Sequence, residues 1–335
     1  MPNWAIHLWQ IRSLIHGNKM PLLEVKLRPI GPWRTGYAAG DRERVDTVYH
    51  SDAVYSAVTF AMQSLGWLEE WLAATAGAVT EPAVRFSSWF PRIGDTRLAP
   101  PPRSAWPPAG AGKLYLAAAR LAPLELIGAR HVEESKWMVD AVSECVLPLG
   151  AAAPFSIRVR ASAAVDRFSG SNEAHYIAAL EFAPDAGWWG LIEIADETWT
   201  DRVKSALRLA ADSGFGGKRS QGWGRTEEPQ FSDASAIFAT GNNTRWWLLS
   251  LYSPDDSDAV DWAAGDYTTT MRGGWTAGAG GVGAKKQVRM VAEGSVLVAP
   301  KLRGRSVDVA PDGYPHPVYR AGFALAVPAP LEATA

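Results

Sequence analysis

The sequence predicts an α+β protein of two ferredoxin-like domains in tandem, the second smaller and sheet-rich. Three observations carry this. Residues 22–30, LLEVKLRPI, alternate apolar and charged positions, as a half-buried strand does. Two segments, 51–72 and 199–214, repeat apolar residues at helical spacing. Three strand-like runs lie between those helices, and only strand-like runs follow residue 240. Strand, helix, strands, helix, loop, strand is the order of a β-α-β-β-α-β unit with insertions.

Each element has its own justification. In the first helix Val54, Val58, Ala61, Leu65, Leu68 and Leu72 share one face. Ser51 is its expected N-cap, and Asp52 suits the positive end of the helix dipole. Residues 91–112, rich in Pro and Gly, read as a surface loop with no special role. In PFSIRVRASAAV (154–165), Ile157, Val159 and Ala161 fall on one face and Ser156, Arg158 and Arg160 on the other. HYIAALEF and WWGLIEIA are the next strands. In the second helix Val203, Ala206, Leu207, Ala210 and Ala211 form the buried stripe, and Gly214 stands where a left-handed cap belongs. RTEEPQF closes the first domain, residues 20–239. TGNN (240–243) marks the boundary, and TRWWLLSLY, KKQVRMVAEGSVLVAP and YRAGFALAVP are strands of the second domain, residues 240–335. Residues 1–19 lack a periodic pattern. They read either as an extension from an early start codon, the preferred reading, or as a short docking helix.

Composition bounds the function. The chain has 335 residues, 47% hydrophobic and 20% charged, with net charge −2, so a nucleic-acid partner requires a local basic patch. The single cysteine, Cys145, excludes an intrachain disulfide and a cysteine-cluster zinc site, and fits a cytoplasmic location. No run of about 18 apolar residues suggests a membrane span.

SGFGGKRSQGWGR (213–225) sets five glycines among Lys218, Arg219 and Arg225, with no acid. It is not a Walker A loop, because Arg219 follows Lys218 where Ser or Thr is required. It closes a helix instead of opening one, so it is not a dinucleotide fingerprint. GAGGVG (278–283) has the letters of that fingerprint but lies between strands. The glycines of 213–225 let backbone N–H groups approach an anion, which makes a polyanion backbone the expected ligand and a solvated mobile loop the other reading. Phe215 and Trp223 either pack beneath the loop or stack on bases. Between Met271 and Arg305 seven basic residues, Lys285 and Lys286 among them, face Glu293 alone. Arg158, Arg160 and Arg167 form a third cluster. Three clusters together point to nucleic acid.

These residues match a family pattern. GFGGKRSQGWGR resembles the glycine-rich signature of the RAMP superfamily of CRISPR proteins. HSDAVYSAV (50–58), RFSSWFPRIGD (85–95), VDRFSGS (165–171), RGGW (272–275), EGSV (293–296) and HPVYRAGFALAVP (316–328), in that order, resemble the type III-A (Csm) subunit that caps the 5′ end of the guide RNA. The resemblance spans residues 22–328. It implies two RRM-like RAMP domains and binding of the repeat-derived 5′ tag of the crRNA. It also implies contacts with the large polymerase/cyclase-like subunit and the first backbone RAMP subunit, in antiviral defence. The equivalent cap of a type III-B complex is an alternative, against which RGGW and EGSV argue. VDRFSGS would correspond to a thumb-like hairpin, with Arg158, Arg160, Arg167 and Ser169 near the RNA path. Gly214, Gly216, Gly217, Lys218, Arg219, Ser220, Gly222 and Arg225 would hold tag phosphates, with Lys285 and Lys286 as further contacts. Sixteen tryptophans, more than a typical member has, are expected to mark an apolar subunit interface.

Some RAMP relatives cut precursor RNA with a histidine, and His50 is the candidate here. The preferred reading is structural, with His50, Ser51 and Asp52 as a helix-start motif. No Tyr, Lys or second His is tied to His50 by local spacing, so no catalytic residue, metal or cofactor is expected. A guide-processing endoribonuclease is the alternative function.

Overall fold

The structure is a computed structural model that describes residues 21–36, 43–112, 118–165, 172–238, 244–276 and 283–330. Residues 1–19, the boundary at 240–243, Arg167, Ser169 and most of GAGGVG lie outside the described residues. The strands up to the boundary are β1 (Leu22–Leu27), β2 (Val84–Phe86), β3 (Phe90–Ile93), β4 (Thr96–Ala99), β5 (Ala122–Pro123), β6 (Trp137–Asp140), β7 (Cys145–Pro148), β8 (Phe155–Val165), β9 (Asn172–Phe182), β10 (Ala186–Ile194) and β11 (Gln230–Asp233). Beyond it lie β12 (Arg245–Leu248), β13 (Asp261–Asp266), β14 (Thr269–Arg272), β15 (Val288–Val291), β16 (Val296–Val298), β17 (Gly304–Asp308), β18 (Tyr319–Phe323) and β19 (Ala326–Pro328). The α-helices are α1 (Ser51–Ser64), α2 (Leu68–Thr75), α3 (Leu124–Ile127) and α4 (Thr200–Ser213). Among the described residues no helix is long and apolar enough to cross a membrane.

The larger sheet runs β11-β1-β10-β3-β4-β5, with β2 also on β10. Its centre, β11-β1-β10-β2, is antiparallel throughout and has the strand order of a β-α-β-β-α-β unit. The smaller sheet, β13-β16-β12-β19, repeats that order, again antiparallel. Its crossovers differ. A 3-10 turn (Asp256–Asp258) lies between β12 and β13, and the β17–β18 hairpin lies between β16 and β19, where the larger sheet uses helices. The chain is thus a mixed α/β protein, rich in sheet.

Local chemistry explains where expectation and structure part. The helix expected over 51–72 is two, because Gly66 takes φ 80° after α1, a conformation that glycine adopts without strain. The surface loop expected over 91–112 is partly sheet. β3 and β4 form a hairpin that turns at Gly94, and Trp189 Nε1 donates to Leu98 O at 2.7 Å. α4 buries the expected stripe, Val203, Ala206, Leu207, Ala210 and Ala211. Gly214 follows it at φ 91°, ψ 142°, a positive φ as expected of a capping glycine but with ψ outside the left-handed helical well.

The tryptophans are largely interior. Trp33, Trp71, Trp89, Trp188 and Trp189 have essentially no exposed surface. Trp33, Tyr49, Trp89, Trp188 and Phe215 form one aromatic cluster with neighbouring ring centroids 5.0–5.5 Å apart. Trp33, Trp71, Trp89 and Trp188 fill one core and Trp189 another, so those five do not mark a subunit interface. A second core is shared between the sheets: Phe90, Trp189 and Leu191 meet Trp247, Leu249, Leu325 and Val327.

Candidate nucleic-acid interface

The glycine-rich loop folds back on the body of the protein. Phe215 N–H donates to Gly224 O (2.9 Å), Gly216 N–H to the Tyr49 hydroxyl (3.2 Å), Gly217 N–H to Arg34 O (2.9 Å) and Gly224 N–H to Pro32 O (2.9 Å). Gly214 N–H serves Ala210 O, and Gly222 N–H serves Arg219 O. The glycine amides are therefore committed inside the chain, and the expectation that they face an anion is corrected. The glycines instead permit close approach. A Cβ on Gly224 would overlap the Phe215 backbone. Phe215 and Trp223 are buried, so they pack beneath the loop and do not offer faces to bases. Lys218, Arg219 and Ser220 remain on the outside. Lys218 is left-handed (φ 63°, ψ 26°) and opens a 3-10 turn over Arg219–Gln221. The Arg219 guanidinium carbon lies 4.4 Å from the Phe60 ring centroid. Arg225 Nε donates to Asp212 O (2.9 Å).

The β8–β9 hairpin stands beside this loop as a paired arm eleven residues long on each strand. Its arginine face turns toward the loop. Trp223 packs with Ile177 and Ala179, the residues opposite Arg160 and Arg158 in the ladder, and Arg160 lies over the Trp223 ring. Arg160 also pairs with Glu181 (2.6 Å). Among the described residues no acid pairs with Arg158, Lys218 or Arg219. On the other face Ile157 and Val159 are 37% and 56% exposed, whereas Leu180 and Ala178 opposite them are buried in the main core. The structure thus brings Arg160 of the arm against Trp223 of the loop that carries Lys218 and Arg219.

The basic run of residues 271–305 does not stay together. Arg272 pairs with Asp52 (2.9 Å) and Lys286 with Asp312 (2.8 Å), while Lys301 and Arg303 both reach Glu81. Acids distant in sequence neutralise it. Burial, then Arg320, pull the Lys285 ammonium below its usual pKa. Neither Lys285 nor Lys286 touches the loop-and-arm surface.

The helix-start motif serves another purpose than capping. His50, not Ser51, occupies the N-cap position of α1, and its side chain makes no capping bond. His50 Nδ1 lies 2.8 Å from Glu293 Oε1 and Nε2 lies 3.0 Å from Asp46 Oδ2. Ser51 Oγ accepts the Leu251 N–H (3.0 Å), and Asp52 accepts two bonds from Arg272 (2.9 and 3.1 Å) and one from Arg320. Burial opposes the Asp52 charge, but Arg272 and Arg320 hold its carboxyl well below the usual range. Burial likewise opposes Asp46 ionisation, and His50 overrides it, lowering Asp46 to about 2. A cleft of about 760 Å³ opens beside this cluster, lined by His50, Asp46, Arg120, Trp106, Arg272 and Glu293 among others. Sequence reasoning missed this junction. Its one signal was the concentration of His, Ser and Asp at a helix start. Among the described residues no three His, Cys, Asp or Glu side chains converge as metal ligands.

Comparison with known proteins follows the same geometry. Residues 241–329 match the CRISPR Csm4 C-terminal domain. No curated protein matches the chain. A chain of the Csm3-Csm4 subcomplex in the type III-A CRISPR-Cas interference complex superposes with a TM-score of 0.61 at 15% identity, covering 91% of this chain and 99% of that one. Chains of the Csm1-Csm4 cassette in complex with pppApA and with cA4 give TM-scores of 0.55 at 17% and 18% identity, each covering 92% of this chain and 98% of theirs. At such identities the likeness establishes the fold, and residues 241–329 are similar to the CRISPR Csm4 C-terminal domain.

Proposed function

We propose that this chain is a non-catalytic RNA-binding scaffold of a type III-A CRISPR effector complex. It holds the repeat-derived 5′ tag of the crRNA and joins the large polymerase/cyclase-like subunit to the first backbone RAMP subunit. Two ferredoxin-like RAMP domains, residues 20–239 and 240–335, form the scaffold, and the repeated strand order of the two sheets supports that reading. The similar chains come from complexes described as Csm1-Csm4 and Csm3-Csm4, which supports the two protein partners.

The observation that carries the RNA reading is the meeting of loop and arm through Trp223. It holds Arg160, and with it the arm that carries Arg158, against the loop that carries Lys218 and Arg219, which supports a shared path for RNA; among the described residues no acid pairs with Arg158, Lys218 or Arg219. Cations on phosphates supply position and affinity. Ser220 and Arg225 flank the same path, and the glycines act by shaping the turn that presents it. Arg167 and Ser169, outside the described residues, are further candidate contacts. Against catalysis, both His50 nitrogens are held by carboxylates, which leaves neither free to take a proton from a ribose hydroxyl.

Binding of a labelled guide RNA, with and without its 5′ tag, across a salt series tests this. Wild type should prefer the tagged RNA and leave it uncut. Lys218→Ala/Arg219→Ala should flatten the log–log salt slope by roughly 0.7 for each phosphate that the variant no longer neutralises. Equal binding of both RNAs, or a wild-type slope in the double variant, overturns the proposed role of the loop.

A further inference from the structure

We infer that the His50–Ser51–Asp52 tripeptide is a latch that fixes the second sheet to the first, closed while His50 carries its proton. Three consecutive side chains each reach across the molecule: His50 to Glu293, Ser51 to Leu251, and Asp52 to Arg272 and Arg320. Ser88 reinforces them, accepting the Ser51 N–H (2.8 Å) and donating to Glu293.

The histidine is the member that can change state. A neutral imidazole has one N–H donor and one lone pair. Here both nitrogens face carboxylate oxygens at hydrogen-bond distance, so only the imidazolium satisfies both. Loss of its proton turns a lone pair toward a buried carboxylate. The charged groups around His50 are Asp46 on its own segment, Asp52 on α1, Arg272 at the end of β14 and Glu293 in the β15–β16 turn, with Arg120 3.9 Å from Asp46. Burial alone would depress His50. Glu293 overrides it, Arg272 opposes, Asp46 adds, and the result is a rise to about 9. The adjoining cleft gives solvent a route to the ring.

The sign follows from linkage. The folded pKa lies above the ordinary value near 6.5, so the stabilisation is complete below about 6.5 and is lost as pH rises through about 9. At neutral pH the latch is closed and the two sheets present themselves to partners as one body.

Hydrogen exchange of the full chain from pH 7 to 10, corrected for intrinsic rates, tests this. Protection of the Leu251 and Gly294 amides, which bond to Ser51 Oγ and Leu248 O, should fall in one step near pH 9. Amides of the β1–β10 ladder should keep theirs. Glu293→Gln removes the charge that raises His50, so the step should move to lower pH by about one unit or more. An unmoved step in that variant overturns the inference. If the variant does not fold, wild type alone decides: simultaneous loss at Leu251 and across β1–β10, or no loss up to pH 10, overturns it.

Discussion

Arg160 lies across Trp223, its guanidinium carbon 5.7 Å from the indole centroid. The two residues belong to segments that the sequence separates by a strand and a helix. Their meeting joins the arm to the loop. It also explains why a glycine-rich loop contains a tryptophan: the indole is the foot on which the loop stands against the arm.

Trp223→Ala should therefore cost both stability and binding. The indole is buried with Ile177 and Ala179, and large-to-small substitution of a buried aromatic costs about 3–5 kcal/mol. The lower end applies to so small a cluster, so denaturant unfolding should register about 3 kcal/mol. Affinity for tagged guide RNA should fall in the same protein although no cation has been removed. Retained affinity would show that the arm and loop bind independently.

Two glycines of the loop offer a matched comparison. Gly222 and Gly224 share φ 78°, so alanine meets the same backbone strain at either. A Cβ at Gly222 meets open space, whereas at Gly224 it overlaps the Phe215 backbone. Gly222→Ala should cost about 1–2 kcal/mol, the left-handed penalty alone. Gly224→Ala should lower the melting temperature markedly further, and equal shifts would contradict the close approach.

Asp52→Asn keeps the shape of the buried side chain and removes the counter-charge of Arg272 and Arg320. Breaking a buried pair from one side costs about 3–5 kcal/mol, because the remaining charge stays buried. Urea unfolding should reveal that destabilisation. Asp95→Asn, at the exposed pair with Lys26, should unfold as wild type does.

Local periodicity made much of the fold legible. The α4 stripe, the alternation of β1 and the length of β8 all follow from neighbours within a few residues. The loop's position after a helix was legible too, and so was its cationic character. What its glycines do was not, because Pro32, Arg34 and Tyr49, which accept those bonds, lie some 170–190 residues away. Charge runs misled for the same reason. Glu81 sits 220 residues from Lys301 and still neutralises it. His50, Ser51 and Asp52 read as a helix start, because nothing near them in sequence reveals Glu293, Leu251 or Arg320. Patterns report local geometry; ion pairs between sheets depend on tertiary placement.

The pairing of Asp52 with Arg320, 268 residues apart, bears on how the chain is made. At about 5–20 residues per second, synthesis of that interval takes roughly 13–54 s. During that time α1 can dock on the first strands, yet the carboxylate at its head lacks Arg272 for most of the interval and Arg320 for all of it. The N-terminal half of a nascent chain consequently waits, incompletely closed, for the segment around Arg320 to leave the ribosome. Premature termination even a few codons before Arg320 would release a polypeptide with most of its strands and an open, charged seam, a natural substrate for chaperones and proteases.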